Sequence, residues 1–494
     1  MRMSMQAACL AVATMMAGDP AGAGDAPGAG DAEAGAQVIQ RHCAACHGPT
    51  GRGAQGPSIV GAGWRHGSSD ADLARSIRNG YPATGMPAWD GVLDDTAIRD
   101  VIAFIRANPM PMDALRPSLP ADPMPTGAVR TDAATYRIDK VARLQSPYGM
   151  ASLPDGRFLV TQATGELRFV DPRTGTVSEP IAGVPMGATP REYFHRRLLD
   201  VALPAGGASG GWIYMTRAEQ APGVTDLSGS QLVLIRGRID GGRWVDNQEL
   251  FRVASVTTAA RIAFDGRGHV FLSVADYDAP ESEAEVGAAQ DLARGSGKIL
   301  RLGEDGTAPA DNPFANGEGA APYVWSLGHR AALGLAFDRR GNLWSSENGP
   351  HGGDELNLIL PGRNYGWPLV TWGHRYDEKL VVGRPEAPGI EQPVINWSPT
   401  PALSGMALYT GAAFPAWRDN LFIGSLKRRS LFRIVLSPAN RPLVQEIVLD
   451  NVARIRDVET GADGNLYLLT DEGDMLRMRP QADADGPRPV ARGD

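Results

Sequence analysis

The chain has 494 residues, 48 Lys and Arg against 56 Asp and Glu, and a formal charge of −8. A hydrophobic share of 43% supports a sizeable core and excludes wholesale disorder. The mild acidity, with no dense basic block, excludes nucleic acid and a polybasic membrane surface as partners. Gly 60 and Pro 38 beside only 7% aromatic residues point to many turns between short strands. At about 150 residues per domain the length allows about three domains, or fewer if one is a large all-β unit. The 3 cysteines cannot build a disulfide framework.

Residues 1–24 read as an export signal. Arg2 precedes an apolar stretch too short for a membrane span, which needs about 20 apolar residues, and small residues follow. Residues 25–36 form a low-complexity tether. Cys9 has Gln6 three places before it, where a lipid anchor wants an aliphatic residue, so a removed leader is the better reading. No later segment reaches about 18 apolar residues, so no transmembrane segment is expected.

Residues 37–107 carry the strongest motif. Cys43-Ala44-Ala45-Cys46-His47 is C-x-x-C-H: two thiols one helical turn apart add to the haem vinyl groups, and the adjacent His lies below the iron. A short amphipathic helix is predicted over 37–41 and a closing helix over 96–107, with Ile98, Val101, Ile102 and Ile105 at helical spacing. Gly85-Met86-Pro87 offers a methionine from a loop; His42 and His66 are the alternative sixth ligands. The stretch resembles a class I c-type cytochrome, a small all-α domain. That implies haem c on Cys43 and Cys46, with His47 and Met86 as axial ligands. Met/His ligation raises the potential and suits an electron acceptor.

Residues 108–127 contain Pro109, Pro111, Pro117, Pro120, Pro123 and Pro125, a semi-rigid linker that is neither helix nor central strand. Residues 128–478 then repeat one unit, a Gly/Asp/Asn turn followed by a short apolar strand. It recurs at 153–161, 210–216, 264–273, 337–345, 419–425 and 461–470, at spacings of about 44 to 80 residues, as four-stranded blades with variable loops require. An all-β six-bladed β-propeller is expected, with a two-sheet sandwich as the alternative. Residues 479–494 are a tail.

Propellers gather their sites where loops converge on the axis. Charged clusters between the repeats are Gly328-His329-Arg330, the turn Asn348-Gly349-Pro350 with Asp354 and Glu355, Lys427-Arg428-Arg429 and Arg454-Ile455-Arg456-Asp457. Four cations facing a carbonyl-rich turn suit a polyanionic ligand and a hard metal ion. Taken singly, each charge is better explained by a surface ion pair.

Together with Gly-Asp-Glu-Leu-Asn at 353–357, Asn-Tyr-Gly-Trp-Pro at 364–368 and Gly-Ser-Leu-Lys at 424–427, these clusters resemble the soluble quinoprotein glucose/sorbosone dehydrogenases. The resemblance implies a six-bladed propeller that binds pyrroloquinoline quinone (PQQ) and calcium and oxidises sugars or aldehydes by hydride transfer. It implies Arg330, Lys427, Arg454 and Arg456 around PQQ, and main-chain oxygens of Gly349 and Pro350 on calcium. Asp354 would support that turn, and Tyr365 and Trp367 would lie near cofactor or substrate.

Three positions depart from the family, one being His195, which stands where the family has Gln or Glu. Thr257 stands where the family has its general-base His, and threonine takes no proton near neutral pH. Ala331 replaces a polar residue after Gly-His-Arg. His195 is the candidate replacement base, with Arg330 as its catalytic partner. Three readings follow. The first is a periplasmic dehydrogenase passing electrons from PQQ to its own haem and on to an external cytochrome or respiratory-chain component. The second is a catalytically degenerate ligand-binding propeller, and the third a docking propeller carrying an electron-transfer cytochrome.

Overall fold

The computed structural model describes residues 30–47, 59–60, 69–81, 86–108, 121–188, 197–204, 211–224, 229–255, 259–276, 287–350, 352–373, 387–398 and 400–481. His195, Thr257, the expected leader and the tail beyond 481 lie outside them, as do the side chain of Cys46 and most of the linker.

The small domain is helical, as expected. Its first helix, Ala32–Val38, begins inside the stretch expected as a tether, because Asp31 accepts the main-chain N–H groups of Glu33 and Ala34 as N-cap. A π-helical turn, Ile39–Cys43, leads into Ala44–His47, so Cys43 and His47 ride one continuous helical path. The helix Asp70–Asn79, which the hydrophobic spacing did not reveal, opens with a reciprocal Ser69–Asp72 capping box. The closing helix is Asp95–Ala107, capped by Asp94. Ile98, Val101, Ile102 and Ile105 all point into one core with Ile39 and Leu73. Gly35 lies where a Cβ would overlap the Asp100 carbonyl, so the first and last helices cross in backbone contact.

The large domain consists of six antiparallel blades. Blade 1 starts with the innermost strand Pro147–Ser152, blade 2 with Leu198–Ala202 and blade 3 with Ile262–Phe264. Blades 4, 5 and 6 start with Ala332–Phe337, Leu403–Leu408 and Ile455–Thr460. Each sequence repeat proves to be the turn and second strand of a blade: Phe158–Gln162, Ile213–Gln220, His269–Val274, Leu343–Glu347, Leu421–Ser425 and Leu466–Thr470. The ring closes across sequence: Thr135–Arg143, from the start of the domain, pairs with Asp474–Pro480 at its end to complete blade 6.

Neighbouring blades are stitched by one kind of bond. Thr161 Oγ1 donates to Leu199 O, joining blade 1 to blade 2. Asp200 Oδ2 accepts Ile262 N (2.8 Å), joining 2 to 3, and Ser273 Oγ donates to Ala332 O (2.9 Å), joining 3 to 4. Ser346 Oγ donates to Ser404 O (2.8 Å), Ser404 Oγ to Ile455 O (2.5 Å), and Asp457 Oδ2 accepts Met150 N (2.9 Å), which returns to blade 1. Each buried side chain satisfies a main-chain group of the next blade.

At the axis sits Arg261, 5% exposed. Its Nη1 reaches Asp200 (3.0 Å) and Asp457 (2.9 Å), Nε donates to Leu333 O (2.8 Å) and Nη2 to Arg456 O (3.0 Å). Removing it leaves two carboxylates buried without their cation. Arg261→Ala is expected to destabilise the propeller by about 3–5 kcal/mol, read from chemical denaturation.

Burial, helped by Asp457, pushes Glu459 up to about 8, and burial pushes Asp457 to about 6. Folded-state values above the unfolded ones mean that ionisation opposes folding. Stability is therefore full below the unfolded carboxylate values and falls as pH climbs through the folded ones. Between pH 5 and 8 a loss on the order of 2 kcal/mol is expected, allowing for the partial exposure of Glu459, and Glu459→Gln removes most of it.

Candidate functional site

Strands alternate in direction, so the loops entering each innermost strand and those leaving each second strand share one end of the propeller. Arg330, Gly349, Pro350, Lys427 and Arg454 lie on these loops, and Asp354 and Arg456 on the adjoining strand ends. Tyr365 and Trp367 arrive differently. They sit on the long excursion between Asp354–Ile359 and Ile395–Trp397, held to the same end by Trp367 N donating to Gly328 O (2.9 Å).

Arg330 is buried. Its Nη1 donates to Asn348 O (2.8 Å) and its guanidinium lies 5.3 Å from the Trp367 ring centroid. The residue before it, His329, is fully buried and shares hydrogen bonds with Glu347 (2.6 Å) and Ser326 (2.8 Å). Two adjacent residues thus fasten to two adjacent residues, His329 to Glu347 and Arg330 to Asn348. This clasp fixes the Arg330 loop against the carbonyl turn. Tyr365 belongs to the clasp: its ring stacks on His329 at 4.7 Å and its hydroxyl donates to Leu358 O (2.5 Å). Trp367 Nε1 is buried with no hydrogen-bond partner among the described residues.

The turn after Glu347 is shaped by Asp354. Its Oδ1 accepts Gly349 N (2.9 Å) and its Oδ2 accepts Leu403 N (2.8 Å), while burial pushes its carboxyl up to about 6. A Cβ at Gly373 would overlap the carbonyl oxygens of both Pro350 and Gly352, and one at Gly349 would overlap those of Gly352 and Gly353. Main-chain oxygens of Pro350, Gly352 and Gly353 are therefore packed close about this turn, and carbonyl oxygens are the donor type a hard cation takes. Among the described residues no group of three His, Cys, Asp or Glu side chains is placed to hold a metal. A cation here relies on those carbonyls and on ligand oxygens.

Across the mouth stand the other cations. Lys427 is half-buried, and burial pushes its ammonium down while Asp354 opposes the shift. Arg454 and Arg456 share Asp471: Arg454 Nε at 3.1 Å, Arg456 Nε at 2.7 Å and Nη2 at 2.9 Å. An incompletely neutralised ammonium, a buried guanidinium over an aromatic face and an orphaned indole N–H together fit a planar polyanion.

Ala331 packs in an apolar cluster with Ala259, Ala275 and Leu333, so this departure from the family pattern is accommodated by packing. Sequence reasoning missed the His329–Glu347 pair, Gln290 and Asp276. Gln290 Nε2 donates to Trp367 O (2.6 Å) and its Oε1 accepts Asn364 Nδ2 (2.6 Å), locking the Trp367 segment. Asp276 follows the third repeat directly, just as the carbonyl turn follows the fourth, and that position was the available signal.

In the small domain, Met86 pairs with Tyr81 in an antiparallel bridge (2.8 and 3.2 Å) that closes the loop bearing it. Gly80 before it has φ +57 and packs against Pro87 too closely for a Cβ.

A helical C-x-x-C-H domain joined to a six-bladed propeller with cations over a carbonyl turn defines a two-part redox protein. The chain belongs to the glucose/sorbosone dehydrogenase family, whose pattern matches residues 144–477. Residues 30–105 match the pattern of the cbb3-type cytochrome c oxidase subunit III, a cytochrome c domain. The chain is 37% identical over 356 residues to the aldose sugar dehydrogenase YliI of Escherichia coli, covering 69% of this chain and 91% of that protein. The structure of the PQQ-bound aldose sugar dehydrogenase of Streptomyces coelicolor matches with a TM-score of 0.55 and 27% identity, covering 70% of this chain and 99% of that one. The cytochrome part is 36% identical over 77 residues to the cbb3-type oxidase subunit FixP of a Bradyrhizobium strain, but spans only 26% of that subunit. Among the described residues no helix is long and apolar enough to cross a membrane.

The carbonyl turn generates a direct test. Calcium should raise the thermal stability of the unsubstituted protein, by about 2.7 kcal/mol at a hundredfold excess over Kd. Gly373→Ala, whose Cβ enters the carbonyl cradle, should lose that response in unfolding scans with calcium against chelator.

Proposed function

We propose that the protein is a periplasmic quinoprotein dehydrogenase that oxidises an aldose or related sugar aldehyde and delivers the electrons to its own haem c. The observation that carries this reading is that Arg330, Lys427, Arg454 and Arg456 share one mouth of the propeller with the turn that Asp354 shapes, and that Arg330 is bonded to that turn. PQQ, when bound, supplies the ortho-quinone that accepts two electrons as hydride. Arg330 and Lys427 would hold its anionic groups, Arg454 and Arg456 would bound the mouth, and the Gly349 and Pro350 carbonyls would be ligands for calcium. Asp354 holds that turn and Trp367 supplies an aromatic wall. Cys43 and Cys46 anchor the haem, with His47 and Met86 as axial ligands.

The linker supports the electron path. Asp122 N donates to Asn451 O (2.7 Å), and Asn451 lies on the loop that carries Arg454. The leash to the haem domain therefore starts at the site's own rim. A haem domain carried on the same chain is held at roughly millimolar effective concentration. An external cytochrome or respiratory-chain component then takes electrons from the haem.

A second reading, a ligand-binding propeller without turnover, draws on Thr257 at the base position. Protein carrying haem, loaded with PQQ and calcium and mixed with aldoses and sugar aldehydes, distinguishes the two. Reduced c-type bands that appear with sugar only when PQQ is present are expected. Saturable PQQ binding without reduction by any aldose would establish the second reading.

A further inference from the structure

The family's base position holds Thr257, so a proton acceptor must come from elsewhere if the chain turns over. The carboxylates around the mouth are mostly committed. Asp471 serves two arginines, Asp200 and Asp457 serve Arg261, Glu347 serves His329, and Asp354 takes main-chain N–H groups on both oxygens.

Asp276 is the carboxylate that lies against both the Arg330 loop and the segment leading from position 257. It lies two residues beyond the second strand of blade 3, 2% exposed, at the meeting of three loops. Its main-chain N donates to Arg330 O (2.7 Å), and the preceding Ala275 N donates to Ala259 O (3.4 Å), two residues beyond position 257. Residues 275 and 276 thus bridge the cofactor-facing arginine and the segment that lost the histidine. The carboxylate is positioned by Ala289 N donating to Oδ2 (2.8 Å). The charge facing it is Lys298, fully buried, whose Nζ donates to Ala288 O (2.7 Å) and Ser296 O (2.9 Å). Asp291 and Arg294 are the other charges around that ammonium. A cationic neighbour favours the charged form of a buried carboxylate, against the cost of its burial.

Resting on the dehydrogenase reading above, we propose that Asp276 is the general base of this enzyme, in place of the absent histidine. The sugar's anomeric O–H bond breaks and its proton goes to the Asp276 carboxylate. The C–H bond on the same carbon breaks and its electron pair leaves as hydride to the ortho-quinone. The C=O of the lactone forms, the sugar is oxidised by two electrons and the quinone is reduced by two. Burial holds Lys298 down at about 8, so it accompanies Asp276 as a cation across neutral pH.

The test begins with the unsubstituted holoprotein. PQQ binding followed by quenching of tryptophan fluorescence, and haem reduction by an aldose, establish the dehydrogenase reading on their own; without them that reading fails before the base is in question. Asp276→Asn should then bind PQQ with unchanged affinity yet reduce its haem 10²–10⁴-fold more slowly. In an infrared difference spectrum of one turnover, the unsubstituted protein should gain a protonated-carboxyl band that the variant lacks. Should Asp276→Asn fail to fold, the pH profile of the unsubstituted protein decides. An acid limb in the carboxylate range supports Asp276, and a limb near 6.5, where an imidazole titrates, overturns it. Turnover at the unsubstituted rate in Asp276→Asn overturns it equally.

Discussion

The propeller depends on one guanidinium. Arg261 enters from the connection between blades 2 and 3 and spends its planar donors on Asp200 of blade 2, Leu333 O of blade 4 and Asp457 and Arg456 O of blade 6. The ring of Tyr148, from blade 1, lies 5.1 Å away. Blade 5 contributes by subtraction: a Cβ at Gly405 would overlap Asp457 Oδ1, and one at Gly149 of blade 1 would crowd Asp200. Taking such charges out of water costs nearly as much as their attraction returns, so the hub contributes little net stability. Its effect is geometric. A fork of fixed directions sets how the innermost strands sit about the axis.

That setting reaches the candidate site through the backbone. Arg261 grips the carbonyl of Arg456, whose own side chain turns to Asp471 and the mouth. In five blades the innermost strand shifts register against its neighbour near the mouth end, at Pro147/Met150, Leu198/Val201, Ala332/Gly334, Leu403/Met406 and Ile455/Asp457. Bulges increase twist and re-aim side chains. They let the strands leave the tight axial packing and open into loops that carry cations and carbonyls. The site is therefore the place where the constraint of the hub relaxes.

This explains what the sequence disclosed. The repeats were legible because each is a turn plus second strand that recurs for a physical reason. Several end on the hydroxyl that ties one blade to the next, as Thr161 and Ser273 do. The C-x-x-C-H spacing and the clustered cations were legible because their chemistry is local in sequence. The hub was not, since Asp200, Arg261 and Asp457 are far apart in the chain and each passes for an ordinary charge beside a strand. Asp276 was hidden for the same reason. Its meaning comes from Arg330 and Ala259, brought beside it by pairing across blades. The helix Asp70–Asn79 escaped because its capping box, Ser69 with Asp72, announces it more clearly than its sparse apolar positions.

The substitution at position 257 then reads as a change of device on a retained frame. Arg330 stays bonded to Asn348 O, and Ala331 settles into an apolar cluster without disturbing the clasp at His329. A propeller drifting away from catalysis has no reason to keep a buried lysine and a buried carboxylate near position 257, because unneeded buried charges are readily replaced by apolar residues. Nor has it reason to anchor its haem leash at Asn451, on the rim of the same mouth. Both features would suit the proposed dehydrogenase, in which the proton would leave to a carboxylate held in the blades and the electrons to a haem domain on the same chain.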